Sequence, residues 1–142
     1  MEVSLFTPHI GQKDVISKFS DSKHKFGVMA SPRQFGKSLL GQNLLLYWLL
    51  KAPQQKGAWI SPIYNQSKKV FQELTNAAHE LIKHKNKADL SITFINGSTL
   101  IFLSAERYDS IRGFSFSHMV IDEGAFIKEV AINEAILPTL TA

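Results

Sequence analysis

Eight consecutive residues, Ser31-Pro32-Arg33-Gln34-Phe35-Gly36-Lys37-Ser38, have the types and the order that hold a polyphosphate. They fit the pattern Gly-x-x-x-x-Gly-Lys-Ser/Thr at every position but the first, where Ser31 stands in place of Gly. In such a loop, backbone N–H groups and the positive end of the following helix point at the phosphates. Gly36 lets the backbone come close, Lys37 reaches the β- and γ-phosphates, and the Ser38 hydroxyl is a ligand for Mg²⁺. A chance Gly-Lys-Ser at a plain helix start is the competing reading. The context argues against it, because an apolar run precedes the loop and a helical pattern follows. A second cluster complements the first. Met119-Val120-Ile121-Asp122-Glu123 is an apolar strand pattern that ends in two adjacent acids. Asp122 is placed to hold Mg²⁺, directly or through water, and Glu123 to polarise an attacking water as general base. Taken alone, Asp-Glu after an apolar run reads equally as a solvated strand end. Taken with the loop, it describes a nucleotide hydrolase site.

Arg33 fits two readings. It could neutralise charge developing on the γ-phosphate from within the same chain, or form a surface salt bridge at the loop mouth. The amide of Gln12 can both donate to and accept from an adenine edge, though a lone Gln is more often a polar surface residue. Lys83, Lys85 and Lys87, with His79 and His84, make a basic stretch read here as the solvated end of a helix. Contact with DNA phosphates is its rival reading. Arg112-Gly113 could sense nucleotide or touch DNA, and equally Gly113 could simply turn the chain. The five histidines lack metal-ligand spacing, and no zinc site is expected.

These residues need a scaffold. Phe26 to Ala30 reads as a short buried strand ahead of the loop, and the apolar residues from Gly36 to Lys51 crowd a helix that Pro53 ends. Gly57 to Ser61 is a second strand. Val70, Phe71, Leu74, Ala77, Ala78, Leu81 and Ile82 recur at helical spacing and predict one continuous helix. Leu90, Ile92 and Phe94 alternate as in a half-buried strand. Asn96-Gly97 then suits a type I′ hairpin turn, with Leu100 to Leu103 returning. His118 to Asp122 is a further buried strand, and a helix is expected from about Ile127 to Leu137. Strands alternating with helices predict an α/β sandwich with a largely parallel sheet and one added hairpin.

The bulk properties bound the rest. A chain of 142 residues with 44% apolar and 20% charged residues is of single-domain length and can build a core. No apolar run is long enough to span a bilayer, and the N-terminus lacks the pattern of a secretory signal. The lack of cysteine excludes disulfides and thiolate metal sites, and is compatible with a reducing cytoplasm. Sixteen Lys and Arg against 12 Asp and Glu leave a net charge of +4, which favours an anionic partner such as nucleotide or DNA.

The combination resembles the large terminase subunit of tailed bacteriophages, the ATPase that packages DNA into the capsid. The resemblance is carried by Gln12, by a phosphate loop containing Arg33, and by the Val-Ile-Asp-Glu strand at 120–123. It extends to Ser61-Pro62-Ile63-Tyr64-Asn65-Gln66, to Asn96-Gly97-Ser98 and to Ile111-Arg112-Gly113, so that it covers residues 5 to 137. It implies a P-loop NTPase fold of the additional-strand, catalytic-glutamate type. It implies ATP and Mg²⁺ as cofactors, with the phosphates cradled by Ser31, Pro32, Arg33, Gln34, Phe35, Gly36, Lys37 and Ser38. Gln12 then lies on adenine, Ser38 and Asp122 on the metal, and Glu123, Arg33 and Lys37 are the catalytic group. The implied partners are double-stranded DNA, the small terminase subunit, the portal protein and further copies in a ring, in the cytoplasm of an infected bacterium.

The resemblance also implies a coupling-motif strand and a nuclease domain beyond Ala142. Residues 1–142 are therefore expected to be part of an ATPase domain, with an unfilled gap in the sheet between the loop strand and the Asp-Glu strand. Such a chain is expected to be marginally stable, and a cooperative thermal transition would count against that expectation. Two rival readings are a helicase-like ATPase stimulated by nucleic acid, and a catalytically inactive P-loop module for DNA binding or assembly.

Overall fold

The computed structural model describes residues 26–29 and 37–140, and for residues 26–29, 37, 38 and 125 it describes the backbone alone. Among the described residues six strands are interspersed with helices. β1 (Phe26–Met29) is followed by α1 (Lys37–Lys51), β2 (Lys56–Ser61) and α2 (Tyr64–Ala77). Then come β3 (Ile82–Asn86), β4 (Ser91–Phe94), β5 (Thr99–Ser104) and β6 (His118–Asp122). A short helix α3 (Glu129–Ala131) continues into a π turn (Ile132–Ile136) and a 3₁₀ turn (Leu137–Thr139).

The sheet runs β1-β6-β2-β5-β4-β3. The first four strands in that order are mutually parallel, and β4 pairs antiparallel with both β5 and β3. This is the predicted α/β sandwich with its added hairpin. Period-two alternation in the central strands supplies both faces. Trp59, Leu100, Phe102 and Val120 face α1 and α2, where Leu45, Leu49, Phe71 and Leu74 complete one core. Ala58, Ile60, Met119 and Ile121 face the other way and are covered by Ala105, Ile111, Ile127, Ala131 and Ile136. Trp59 is fully buried, and its indole N–H donates to Ser61 Oγ at 3.0 Å. Among the described residues, no helix is long and apolar enough to cross a membrane.

Three sequence expectations need correction. The expected gap between the loop strand and the Asp-Glu strand is not there, since β1 pairs directly with β6, from Phe26 opposite Met119 to Met29 opposite Asp122. Strand neighbours are set by non-local pairing, which local sequence patterns do not encode. The helix through Ile82 instead stops at Ala77. Ala78 leaves the helical region (φ −115°, ψ 24°), Leu81 closes a 3₁₀ turn, and Ile82 opens β3. Lys83, His84 and Lys85 of the basic stretch are thus on the sheet's outer strand, where pairing with β4 outweighs the helical spacing of the apolar residues.

The hairpin between β4 and β5 exists, but its turn is not type I′. Of its loop residues only Gly97 has positive φ, at 86°. Gly97 N–H donates to Phe94 O (3.0 Å) and Phe94 N–H to Ser98 O (2.8 Å). This is a three-residue loop with glycine in the left-handed position. The other arrangement frees Asn96 for different work. Its Nδ2 donates to Leu49 O (2.8 Å) and Ala52 O (3.1 Å), and Ser98 Oγ donates to Leu49 O (2.7 Å). The last carbonyls of α1, which have no intrahelical partners, are thereby capped by the hairpin. Asn96→Ala is expected to lower the free energy of unfolding by about 1–2 kcal/mol in urea titration. An unchanged midpoint would show that the cap carries no stability.

Candidate functional site

The carboxyl ends of the parallel strands set the position of the site. In open α/β sheets this edge is where ligands bind. β1 ends at Met29, in register with Asp122 at the end of β6, and β6 lies between β1 and β2. The seven residues after Met29 lead to Lys37, the first residue of α1. The far end of α1 is capped beside Ser98, at the amino end of β5, so the helix runs antiparallel to the strands. Its amino terminus therefore opens at the same edge as Asp122. The positive end of a 15-residue helix and a carboxylate thus share one edge of the sheet.

Ser31, Pro32, Arg33, Gln34, Phe35 and Gly36 lie outside the described residues, as does Gln12. Lys37 and Ser38 are described as backbone only, opening α1 as the loop pattern requires. Asp122 and Glu123 are fully described. Asp122 is 8% exposed, and burial of a carboxylate is unfavourable unless cations or hydrogen bonds compensate. As a hard oxygen ligand it fits Mg²⁺, which is commonly held by one or two carboxylates together with substrate phosphates. No group of three or more His, Cys, Asp or Glu gathers among the described residues.

Glu123 breaks the strand. Its backbone is left-handed (φ 52°, ψ 46°), an unusual state for a residue with a side chain. A regular strand would alternate Glu123 to the face opposite Asp122. The left-handed turn instead ends β6 and starts the 3₁₀ turn Gly124–Phe126, with Phe126 N–H donating to Glu123 O at 2.9 Å. Local strain of this kind gathers at functional sites.

The structure adds one residue that sequence reasoning left without a role. Gln66, in the first turn of α2, donates from Nε2 to Glu123 Oε2 at 3.1 Å. The helical turn carrying it is held from two sides. Glu106 Oε1 accepts from Tyr64 N–H (2.7 Å), and Ser67 Oγ donates to Leu103 O (2.6 Å). The signal available in the sequence was positional: Gln66 follows the carboxyl end of β2, and β2 neighbours β6. Arg112 lies 3.8 Å from both Asp109 and Glu134, and all three are well exposed. Gly113 has φ 93°, which supports its reading as a chain turn.

The fold has known relatives. The chain superposes on the large terminase ATPase domain of Thermus phage P74-26 with a TM-score of 0.79 and 23% identity. That match covers 94% of this chain and 60% of the other. It also superposes on the large terminase of a second thermophilic bacteriophage, in complex with ATP-gamma-S, with a TM-score of 0.72 and 16% identity, covering 95% and 36%. This chain thus spans about three fifths of the first relative and just over a third of the second. No curated protein matches it. These likenesses establish the P-loop NTPase fold. The family model for the large terminase subunit, T4likevirus-type, N-terminal, matches residues 28–139, and the chain belongs to that family of phage large terminases.

Proposed function

We propose that the chain binds ATP·Mg²⁺ at the carboxyl edge of its sheet and hydrolyses it to drive double-stranded DNA into a phage capsid. The observation that supports this most directly is the register of Met29 with Asp122, which brings the end of β1 beside the acidic strand end. The ATP-gamma-S bound by the second of the two phage relatives supports the same reading.

Backbone N–H groups of residues 31–36 and the start of α1 hold the phosphates, Lys37 pairs with the β- and γ-oxygens, and Gln12 recognises adenine. Ser38 and Asp122 would hold Mg²⁺, which supplies charge neutralisation on the phosphates. Glu123 takes a proton from water as the water oxygen attacks the γ-phosphorus in line. The bond to the β-phosphate oxygen breaks, giving ADP and inorganic phosphate. Arg33 and Lys37 stabilise the charge on the transferred phosphoryl group. The small terminase subunit, the portal protein and further copies of the chain complete the machine in the host cytoplasm.

The test is nucleotide binding. A fluorescent ATP analogue titrated with Mg²⁺ should bind the chain, and Lys37→Ala should weaken binding by roughly 100-fold, about the effect of one desolvated charge pair. Equal binding by both chains, or none by either, would remove the basis of the proposal.

A further inference from the structure

Lys85 in β3, and Lys87 in the turn just after it, stand across from one face of α2. That face carries Lys68, Gln72 and Asn76 at four-residue spacing. Between them lies a cavity of about 340 Å³. Phe71 and Leu90 line it but are themselves buried, so the polar side chains are what it offers to solvent. The position of Lys87 is fixed by a hydrogen-bonded turn, in which Asn86 Oδ1 accepts from Ala88 N–H (2.9 Å) and Asp89 N–H (3.1 Å).

The acids nearest in sequence already accept hydrogen bonds. Glu73 accepts from Gln42 Nε2 on α1 (3.1 Å), and Asp89 accepts from Asn86 Nδ2 (3.1 Å). None of the three lysines makes an ion pair among the described residues. Three lysines of like charge line one concavity, and a ligand carrying several negative charges complements them. The amides of Gln72 and Asn76 add neutral donors. The cavity presents no exposed aromatic ring on which a base could stack, as single-stranded nucleic acid requires.

We infer that this cavity is a docking site for the phosphate backbone of double-stranded nucleic acid, bound without regard to base sequence. Its β3 wall is at the outer edge of the sheet, with β4, β5 and β2 between β3 and β6. The inference rests on the proposed function for its choice of DNA as partner, and does not depend on hydrolysis.

The experiment is a fluorescence-anisotropy titration of a short random-sequence DNA duplex against the 142-residue chain over a series of salt concentrations. The combined variant Lys68→Glu, Lys85→Glu, Lys87→Glu is compared with a charge-matched control, Lys51→Glu, Lys69→Glu, Lys128→Glu. Removing one ammonium–phosphate pair should lower the slope of log K against log salt by roughly 0.9. The cavity variant should therefore lose about 2–3 in slope and bind at least about tenfold more weakly than the control. Equal slopes and affinities for the two variants would overturn the inference, as would the absence of duplex binding by the unmodified chain. Displacement of the duplex by inorganic phosphate at equal charge concentration would reassign the cavity to a small anion and also overturn it. Nucleotide binding is titrated separately. Its failure with duplex binding intact would remove the ATPase reading and leave the docking site standing.

Discussion

Glu123→Gln should stop ATP turnover while leaving nucleotide binding in place. The substitution keeps size and shape and removes the proton acceptor, so kcat is expected to fall by roughly 10²–10⁴-fold with the dissociation constant for nucleotide unchanged. Gln66→Ala makes a complementary case. Its amide holds one oxygen of Glu123 at 3.1 Å, and a hydrogen bond to a charged group contributes about 1.5–3 kcal/mol. Losing it should lower kcat roughly tenfold or more, again without weakening nucleotide binding. If Gln66 acts only through Glu123, the double variant Glu123→Gln, Gln66→Ala should be no slower than Glu123→Gln alone. Additive losses would show that Gln66 works independently. Turnover by Glu123→Gln at the unmodified rate would remove Glu123 from the chemistry.

The largest effect on stability is expected at Trp59. The ring is fully buried at the centre of the sheet, between β5 and β6, on the face covered by α1 and α2. Trp59→Ala leaves a cavity that close-packed neighbours can only partly fill, with a cost of about 3–5 kcal/mol. Small domains have about 5–15 kcal/mol in total, so this single change removes a large part of it. The consequence reaches the site, because Trp59 Nε1 also fixes Ser61 at the end of β2, shortly before the first turn of α2 that carries Gln66. Trp59→Phe restores most of the volume but not that hydrogen bond. Urea unfolding should therefore rank the chains as wild type, Trp59→Phe, Trp59→Ala, and a midpoint for Trp59→Ala close to wild type would contradict the packing argument.

How much of this could be read from the residues depended on whether the signal was local. α1 and β6 were legible because an apolar period and its punctuation sit within a few residues of each other. The place of the Asp-Glu pair at the end of a strand was legible for the same reason. β3 was not. Leu81 and Ile82 continue the helical spacing of α2 without being in it, and only the ladder with β4 shows that Lys83 to Asn86 are extended. The Asn96-Gly97 turn was located correctly, but its type was decided by a distant partner, the carbonyls at the end of α1. The bond between Gln66 and Glu123 joins residues 57 positions apart. No local pattern carries such information. The pairing of β1 with β6 belongs to the same class, and there sequence reasoning expected a gap.

The left-handed backbone of Glu123 has an evolutionary consequence. At φ 52° a side chain costs about 1–2 kcal/mol relative to glycine, and asparagine would also sit there more easily. A design procedure or a consensus that rewarded only a stable fold would therefore drift away from glutamate at this position. If glutamate persists among sequences selected in nature, something other than stability holds it there. A deep mutational scan scored separately for abundance and for activity would expose that opposition at position 123, with glycine favoured in one measurement and eliminated in the other.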